Sequence, residues 1–197
     1  CGNGTRCVAK ILFNENNERA TLKILSDAGT LIAKKVGDQI SVNMGIVTTE
    51  WDRIPLTKEM DTLNVPIHVD GFDSGVAVNI GNPHVVFFGK SIENINLNEI
   101  GPKIEQHHFF PNKTNVEFIE VINSNTIKMK VWERGAGITL ACGSGACAAV
   151  YAGWKKKLIE KNSEVQLEKG SLHIKIVNNE AIMTGPAEIS YNGYIHI

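Results

Sequence analysis

Along most of the chain, short runs of β-branched and other apolar residues alternate with polar positions and are broken by Gly, Asn, Asp or Pro. A period of two over about four to eight residues predicts strands with one face buried. Three such runs, 21–25, 30–36 and 39–44, are divided by the turn signals Ser26-Asp27-Ala28-Gly29 and Gly37-Asp38. Runs at 76–80 and 85–88 flank Gly81-Asn82-Pro83-His84. The pattern continues at 116–122, 126–132, 164–168, 172–177 and 181–184, and a last strand is predicted at 190–197. Two stretches depart from it. Residues 5–13 and 146–159 lack alternation and carry small or straight-chain side chains, which predicts helices. The second ends in Lys155-Lys156-Lys157, cations where the negative end of a helix dipole favours them. A third, weaker helix is predicted at 97–106. Pro55, Pro66 and the polar stretch 61–64 predict a long loop or linker, with a domain boundary near 45–49.

The two main helical stretches open alike. Cys1-Gly2-Asn3-Gly4 precedes the first and Cys142-Gly143-Ser144-Gly145 the second, and each helix contains a further cysteine, Cys7 or Cys147. A duplicated Cys-Gly-x-Gly predicts two related halves, each a sheet wrapped around one central helix. A helix N-terminus presents unpaired N–H groups and a positive dipole end, so a cysteine there is expected to have a lowered pKa and to act as a base near neutral pH. Glycines beside it let the backbone approach a small ligand closely. Two such turns facing each other would set a thiol on each side of one bound carbon. One thiolate takes a proton, the opposite thiol returns one, and the centre inverts, with no metal or organic cofactor required. Cys1 and Cys142 are the reactive pair in this reading. Cys7 and Cys147, inside the helices, are expected to be small buried hydrophobes. A zinc site or redox dithiol would favour Cys-x₂-Cys; the spacings here are Cys-x₅-Cys and Cys-x₄-Cys, so both are lesser readings.

Composition narrows the class without altering this picture. The 197 residues carry 20 Lys+Arg against 21 Asp+Glu, a net charge of −1, which argues against nucleic acid or an anionic membrane as partner. With 43% hydrophobic and 21% charged residues the chain is an ordinary folding sequence. No apolar run approaches the roughly 18 residues of a membrane-spanning helix. Four cysteines are too few for a disulfide scaffold, and reactive thiols suit a reducing cytoplasm. The chain opens on Cys1 rather than Met, without a signal peptide or basic presequence, so a segment preceding residue 1 is expected.

Five motifs in order along the chain resemble those of the diaminopimelate epimerases. They are Cys1-Gly2-Asn3-Gly4-Thr5-Arg6-Cys7, Gly81-Asn82-Pro83-His84, Thr114-Asn115-Val116-Glu117-Phe118, Glu133-Arg134-Gly135-Ala136-Gly137 and Ala141-Cys142-Gly143-Ser144-Gly145. Thr184-Gly185-Pro186-Ala187 and Gly193-Tyr194-Ile195 are similar as well. The resemblance implies an α/β (α+β) fold of two pseudo-symmetric domains, each a mixed curled sheet around a central helix, with the site in the cleft between them. The first domain would comprise 1–45, the second 46–186, and a C-terminal strand at 187–197 would return to the first. It implies cofactor-independent interconversion of LL- and meso-diaminopimelate, in lysine and peptidoglycan precursor biosynthesis. Cys1 and Cys142 match the catalytic thiols, and His84 and Glu133 the polar residues beside them. Asn82, Asn115 and Arg134 match residues that hold the distal amino and carboxylate end. Gly2, Asn3, Gly143 and Ser144 match the turns that bind the reacting α-carboxylate. Family members carry roughly seventy residues before the first catalytic Cys, a domain-scale length, so an incomplete first domain with exposed strand edges is expected. The partner implied is the small-molecule substrate, with a homodimer held open as the assembly.

Without the resemblance these residues keep two readings each. His84 follows Pro83, which holds Asn82 extended, and beside a thiol it could accept or relay a proton; a lone histidine is more often a satisfied structural residue. Glu133-Arg134 reads as a surface salt bridge or as a guanidinium fixed for a carboxylate, ahead of a flexible Gly135-Ala136-Gly137 loop. Asn82 and Asn115 read as turn formers or as amide ligands for a zwitterion. Two further alternatives are a proline racemase-like enzyme of the same fold and an inactive truncated fragment. Glu133-Arg134-Gly135 and the Asn pair argue against the former.

Overall fold

The computed structural model describes residues 2–26 and 29–194. Helix α1 (Gly2–Glu15) leads into an antiparallel meander of β1 (Thr21–Ser26), β2 (Gly29–Val36) and β3 (Gln39–Ile46). After a long irregular stretch, β4 (Val76–Asn79) and β5 (Pro83–Gly89) form a hairpin. Helix α2 (Leu97–Glu105) crosses to β6 (Asn115–Asn123), which turns back into β7 (Thr126–Glu133) and the short β8 (Gly137–Ile138). Helix α3 (Gly143–Lys155) crosses to β9 (Asn162–Leu167), followed by β10 (Gly170–Val177) and β11 (Glu180–Gly185). All belong to one mixed sheet in the order β1-β2-β3-β11-β10-β9-β7-β6-β5-β4, with β8 beside β7. The fold is therefore α+β, its sheet curled and unclosed. Among the described residues two strand pairs are parallel, β5 with β6 and β7 with β9, and each is bridged by a helix, as parallel neighbours require.

Local chemistry explains the connections. Val36 pairs with Gln39 across Gly37-Asp38, and Gly37 adopts φ +58°. Val177 pairs with Glu180 across Asn178-Asn179, whose φ values of 50° and 63° are those of a primed hairpin turn. Helix α1 buries Gly2, Arg6, Ala9 and Phe13, one position per turn. It begins earlier than the apolar pattern indicates. Cys7, one residue round from Arg6, faces solvent, contrary to the expectation of a buried thiol, while Cys147 is buried as expected. Helix α3 is buried continuously from Gly145 to Gly153. It ends where Lys157 turns to φ 60° and Leu158 N–H donates to the Gly153 carbonyl at 2.9 Å.

Strand periodicity decides which helix covers which face. Val86, Phe88, Val131, Ile174 and Met183 pack against α3. Val85, Phe87, Val116 and Phe118, one residue out of phase, pack with Leu97 and Ile104 of α2. A third cluster joins Ala9 and Phe13 of α1 to Leu22, Ala33, Ile40 and Val42, with Ala187 completing it. Among the described residues the last strand expected is not found. Residues 190–194 have no strand structure, Tyr191 is 86% exposed, and 195–197 lie outside the described residues. A strand needs a ladder partner and a packed face, and among the described residues this segment has neither. Among the described residues no helix is long and apolar enough to cross a membrane.

Candidate active site

Cys142 is the N-cap of α3, extended at φ −126° and ψ 111°. Its Sγ accepts from Gly145 N–H at 3.3 Å, and its carbonyl accepts from Ala146 N–H at 3.0 Å. Sulfur thus fills the role that a Ser or Asp oxygen usually fills at a helix start. Ser144 Oγ lies 3.5 Å from the same sulfur. A Cβ on Gly143 would fall 2.9 Å from Met183 Sδ and 3.5 Å from Asn3 Oδ1. A Cβ on Gly2 would fall 2.5 Å from Met183 Cε. The N-termini of α1 and α3 therefore meet over one methionine, and a Cβ at either glycine would require the Met183 side chain to shift. Met183 sits on β11, paired with Val42 of β3 and Ile174 of β10. Buried Arg6 ties the junction together. It donates to Asn3 Oδ1 at 3.0 Å, to Met183 Sδ at 3.2 Å and to the Pro186 carbonyl at 3.3 Å. Cys1, the residue before Gly2, lies outside the described residues.

Beneath the first turn of α3 lies a buried pair, of which the sequence singles out only His84. Parallel register sets His84 beside Asn115 and Val86 beside Glu117, with Glu117 opposite Val131 on its other side. His84 and Glu117 are both fully buried. His84 Nδ1 is 2.7 Å from Glu117 Oε1, and Nε2 is 3.1 Å from Asn82 Oδ1. A Cβ on Gly145 would lie 2.7 Å from Glu117 Oε1 and 3.3 Å from Cys142 Sγ, so the carboxyl abuts the first turn of α3. The sequence motifs assign Glu117 no role. Its signal was available as an acid at a core-facing position of the apolar run Val116-Glu117-Phe118-Ile119.

The electrostatics reverse one expectation. Burial pushes the Cys142 thiol up to about 12, and Glu117 adds to the rise. Hydrogen bonds from Ser144 and the Gly145 N–H oppose it, and Glu133 raises it again. The helix end does stabilise a thiolate, but desolvation and two carboxyls outweigh it, so Cys142 rests as a thiol rather than as the base anticipated. Burial likewise raises Glu117, against the opposing pull of His84 and with a further push from Glu133.

The rim is built by backbone ties. Glu133 ends β7 and pairs with Gly137, and its Oε1 accepts from the Thr139 hydroxyl. The loop expected to be flexible is thus a tight turn closed by β8. Asn115 Nδ2 donates to the Pro83 carbonyl at 2.8 Å, and its Oδ1 accepts from Arg134 N–H at 2.9 Å. Its amide is engaged at both ends, joining the starts of β5 and β6 to the end of β7. The exposed Arg134 side chain donates to the Asn112 carbonyl at 3.2 Å. Glu105 of α2, unnoticed in the sequence, accepts from Trp132 Nε1 at 2.7 Å and Gly135 N–H at 3.1 Å, with Lys113 Nζ at 3.5 Å. Gly2, Asn3 and Gly143 therefore gather at the helix junction, Ser144 lies beside Cys142, and His84 and Asn82 join that group through Glu117. Asn115 and Arg134 connect to that group through the backbone. A cavity of about 670 Å³ between 66–72 and α2 contains none of these residues.

The diaminopimelate epimerase family model matches residues 76–190. A diaminopimelate epimerase of Pelagibacter ubique (strain HTCC1062) is 44% identical over 193 residues, covering 94% of this chain and 70% of its relative. One of Microcystis aeruginosa (strain NIES-843 / IAM M-2473) is 42% identical over 203 residues, covering 98% and 72%. Among solved structures, a phenazine biosynthesis protein of the PhzF family from Enterococcus faecalis superposes with TM-score 0.70 at 16% identity, covering all of this chain and 73% of that one. A hydroxyproline epimerase from Agrobacterium vitis superposes with TM-score 0.62 at 12% identity, covering 92% and 62%. At such identities the structural likeness concerns the fold alone.

Proposed function

The chain belongs to the diaminopimelate epimerase family, and from that premise we propose that it interconverts LL- and meso-diaminopimelate by passing the α-proton between two thiols. The observation that carries this reading is the meeting of Gly2 and Gly143, at the starts of α1 and α3, over Met183. In the proposal Cys142 supplies one thiol and Cys1 the other. The α-carboxylate docks against Gly2, Asn3, Gly143 and Ser144, where two helix N-termini stabilise charge as the carbon loses its proton. With Cys142 resting as a thiol, Cys1 as thiolate removes the α-proton and Cys142 protonates the opposite face; the reverse reaction exchanges the roles. Glu133 lies beside Cys142, and His84 with Asn82 acts on it through Glu117. Arg134 holds the distal carboxylate, and Asn115 sets the Arg134 backbone.

Residues 1–45 with 187–197, and residues 46–186, are the two walls of the cleft in this proposal. Cytoplasmic residence, where thiols stay reduced, and a homodimer belong to it as well. The test is α-proton exchange followed by NMR in D₂O under reductant, starting from LL-diaminopimelate. Loss of the α-proton signal with appearance of the meso isomer is expected, with no exchange at proline. A folded sample that exchanges nothing sinks the proposal.

A further inference from the structure

Glu117 enters none of these roles, yet it is the side chain whose burial needs most explanation. It occupies a central strand between Val86 and Val131, where an apolar residue would pack without penalty. Its Oε2 has no hydrogen-bond partner among the described residues. The titratable groups facing it are His84 from β5, Glu133 from β7 and Cys142 from the start of α3.

Counting protons narrows what it does. The 2.7 Å contact between Nδ1 and Oε1 holds one proton. If Glu117 carries that proton, the imidazole is neutral and its own proton sits on Nε2. If the proton has moved to His84, the imidazolium is protonated on both nitrogens. Either way the pair has no net charge, and Nε2–H donates to Asn82 Oδ1 at 3.1 Å. The remaining arrangement, an anionic carboxylate accepting from a neutral imidazole, leaves an unbalanced buried charge against Cys142 and Glu133. It also turns Nε2 into an acceptor facing a carbonyl oxygen. Burial and the proximity of Glu133 both oppose it.

We propose that Glu117 is a positioning residue that fixes His84 in an Nε2-protonated form and keeps the space beneath Cys142 electrically neutral. When Cys142 gives its proton to the substrate carbon, the resulting thiolate then has no buried anion against it. Absence of a Cβ at Gly145 is what lets the carboxyl reach this place. The turnover part rests on the epimerase reading, whereas the tautomer of His84 does not.

The first test is nitrogen NMR of the ligand-free protein labelled with ¹⁵N-histidine. Nε2-protonated His84 is expected in the wild type and in Glu117→Gln, whose amide donates to Nδ1 in place of the carboxyl. In Glu117→Val the signal should move to a mixture of tautomers. Wild-type His84 protonated at Nδ1 alone, or an unchanged form in Glu117→Val, overturns the proposal. In turnover, Glu117→Val should lower kcat by at least about tenfold with KM within about twofold. Glu117→Gln should stay within about threefold of wild type near pH 7. Its alkaline limb should be displaced from that of the wild type, because it cannot become an anion beside Cys142. Identical pH profiles for wild type and Glu117→Gln overturn the charge role, and that comparison holds even if Glu117→Val does not fold. An inactive wild type would remove the epimerase reading, with the NMR measurement still deciding the tautomer.

Discussion

Cys142 receives a hydrogen bond from Gly145 N–H at a helix start, yet it is only 5% exposed and shares its surroundings with Glu117 and Glu133. Position along the helix favours the thiolate, and depth disfavours it more. Reactivity in the ligand-free protein should follow depth. Iodoacetamide at pH 8 is expected to modify exposed Cys7 at least about tenfold faster than Cys142 or Cys147, as read by peptide mass spectrometry. Comparable rates at Cys7 and Cys142 would contradict the buried thiol. Cys147 gives a stability signature. Burial raises its pKa, with Cys142 adding and Arg6 opposing. Above the free-thiol value of 9.0 the unfolded chain loses protons that the native protein retains, so stability falls as pH rises. The slope is about 1.4 kcal/mol per pH unit for each such thiol. Cys147→Ala should therefore cost about 1 kcal/mol near pH 7, with the difference narrowing toward pH 10 in urea titrations.

Elements place these residues, and most elements were legible from the chain pattern. The runs in β1, β2, β3, β7 and β10 are legible to within a residue or two because each alternates against one more deeply covered face, whereas β6, buried on both faces over its first half, is legible as an apolar run. The pattern did not disclose β8, since two residues carry no period and pair only because Glu133 and Gly137 meet in a tight turn. Nor did it disclose Glu105, an acid on a helix whose partners come from Trp132 and Gly135, far along the chain. Burial alone would raise Glu105, but the bonds from Trp132, Gly135 and Lys113 hold it below the usual carboxylate range. A lowered folded-state pKa contributes stability above the ordinary value of 4.5, and that stability is lost as pH falls through the folded value. Glu105→Gln puts an N–H toward a donor it cannot bond, and should cost about 1–3 kcal/mol at pH 7. The loss should shrink in acid, which thermal unfolding at pH 7 and pH 3 would read.

At the scale of the molecule, the ladder between β3 and β11 joins the α1 half to the α3 half, and Met183 lies within it. That methionine packs against the glycines of both helix starts and accepts from Arg6. Met183→Ala should cost about 2–5 kcal/mol and lower α-proton exchange, while Met183→Leu, which conserves volume, should retain most stability. Equal stability in the two variants would show that the junction does not depend on filling this space.

What the sequence by itself determined is local: alternation that sets strands, turn residues that close hairpins, and two cysteine–glycine motifs whose repetition marks the candidate site. These follow from nearest neighbours, and the family motifs sit among them. What only the tertiary structure decided is the charge state and company of each group. Glu117 lies 33 residues from His84 along the chain, and Met183 lies 177 from Arg6. Depth, register between strands and the approach of two helix ends are properties of distant segments brought together, and desolvation acts only once they meet.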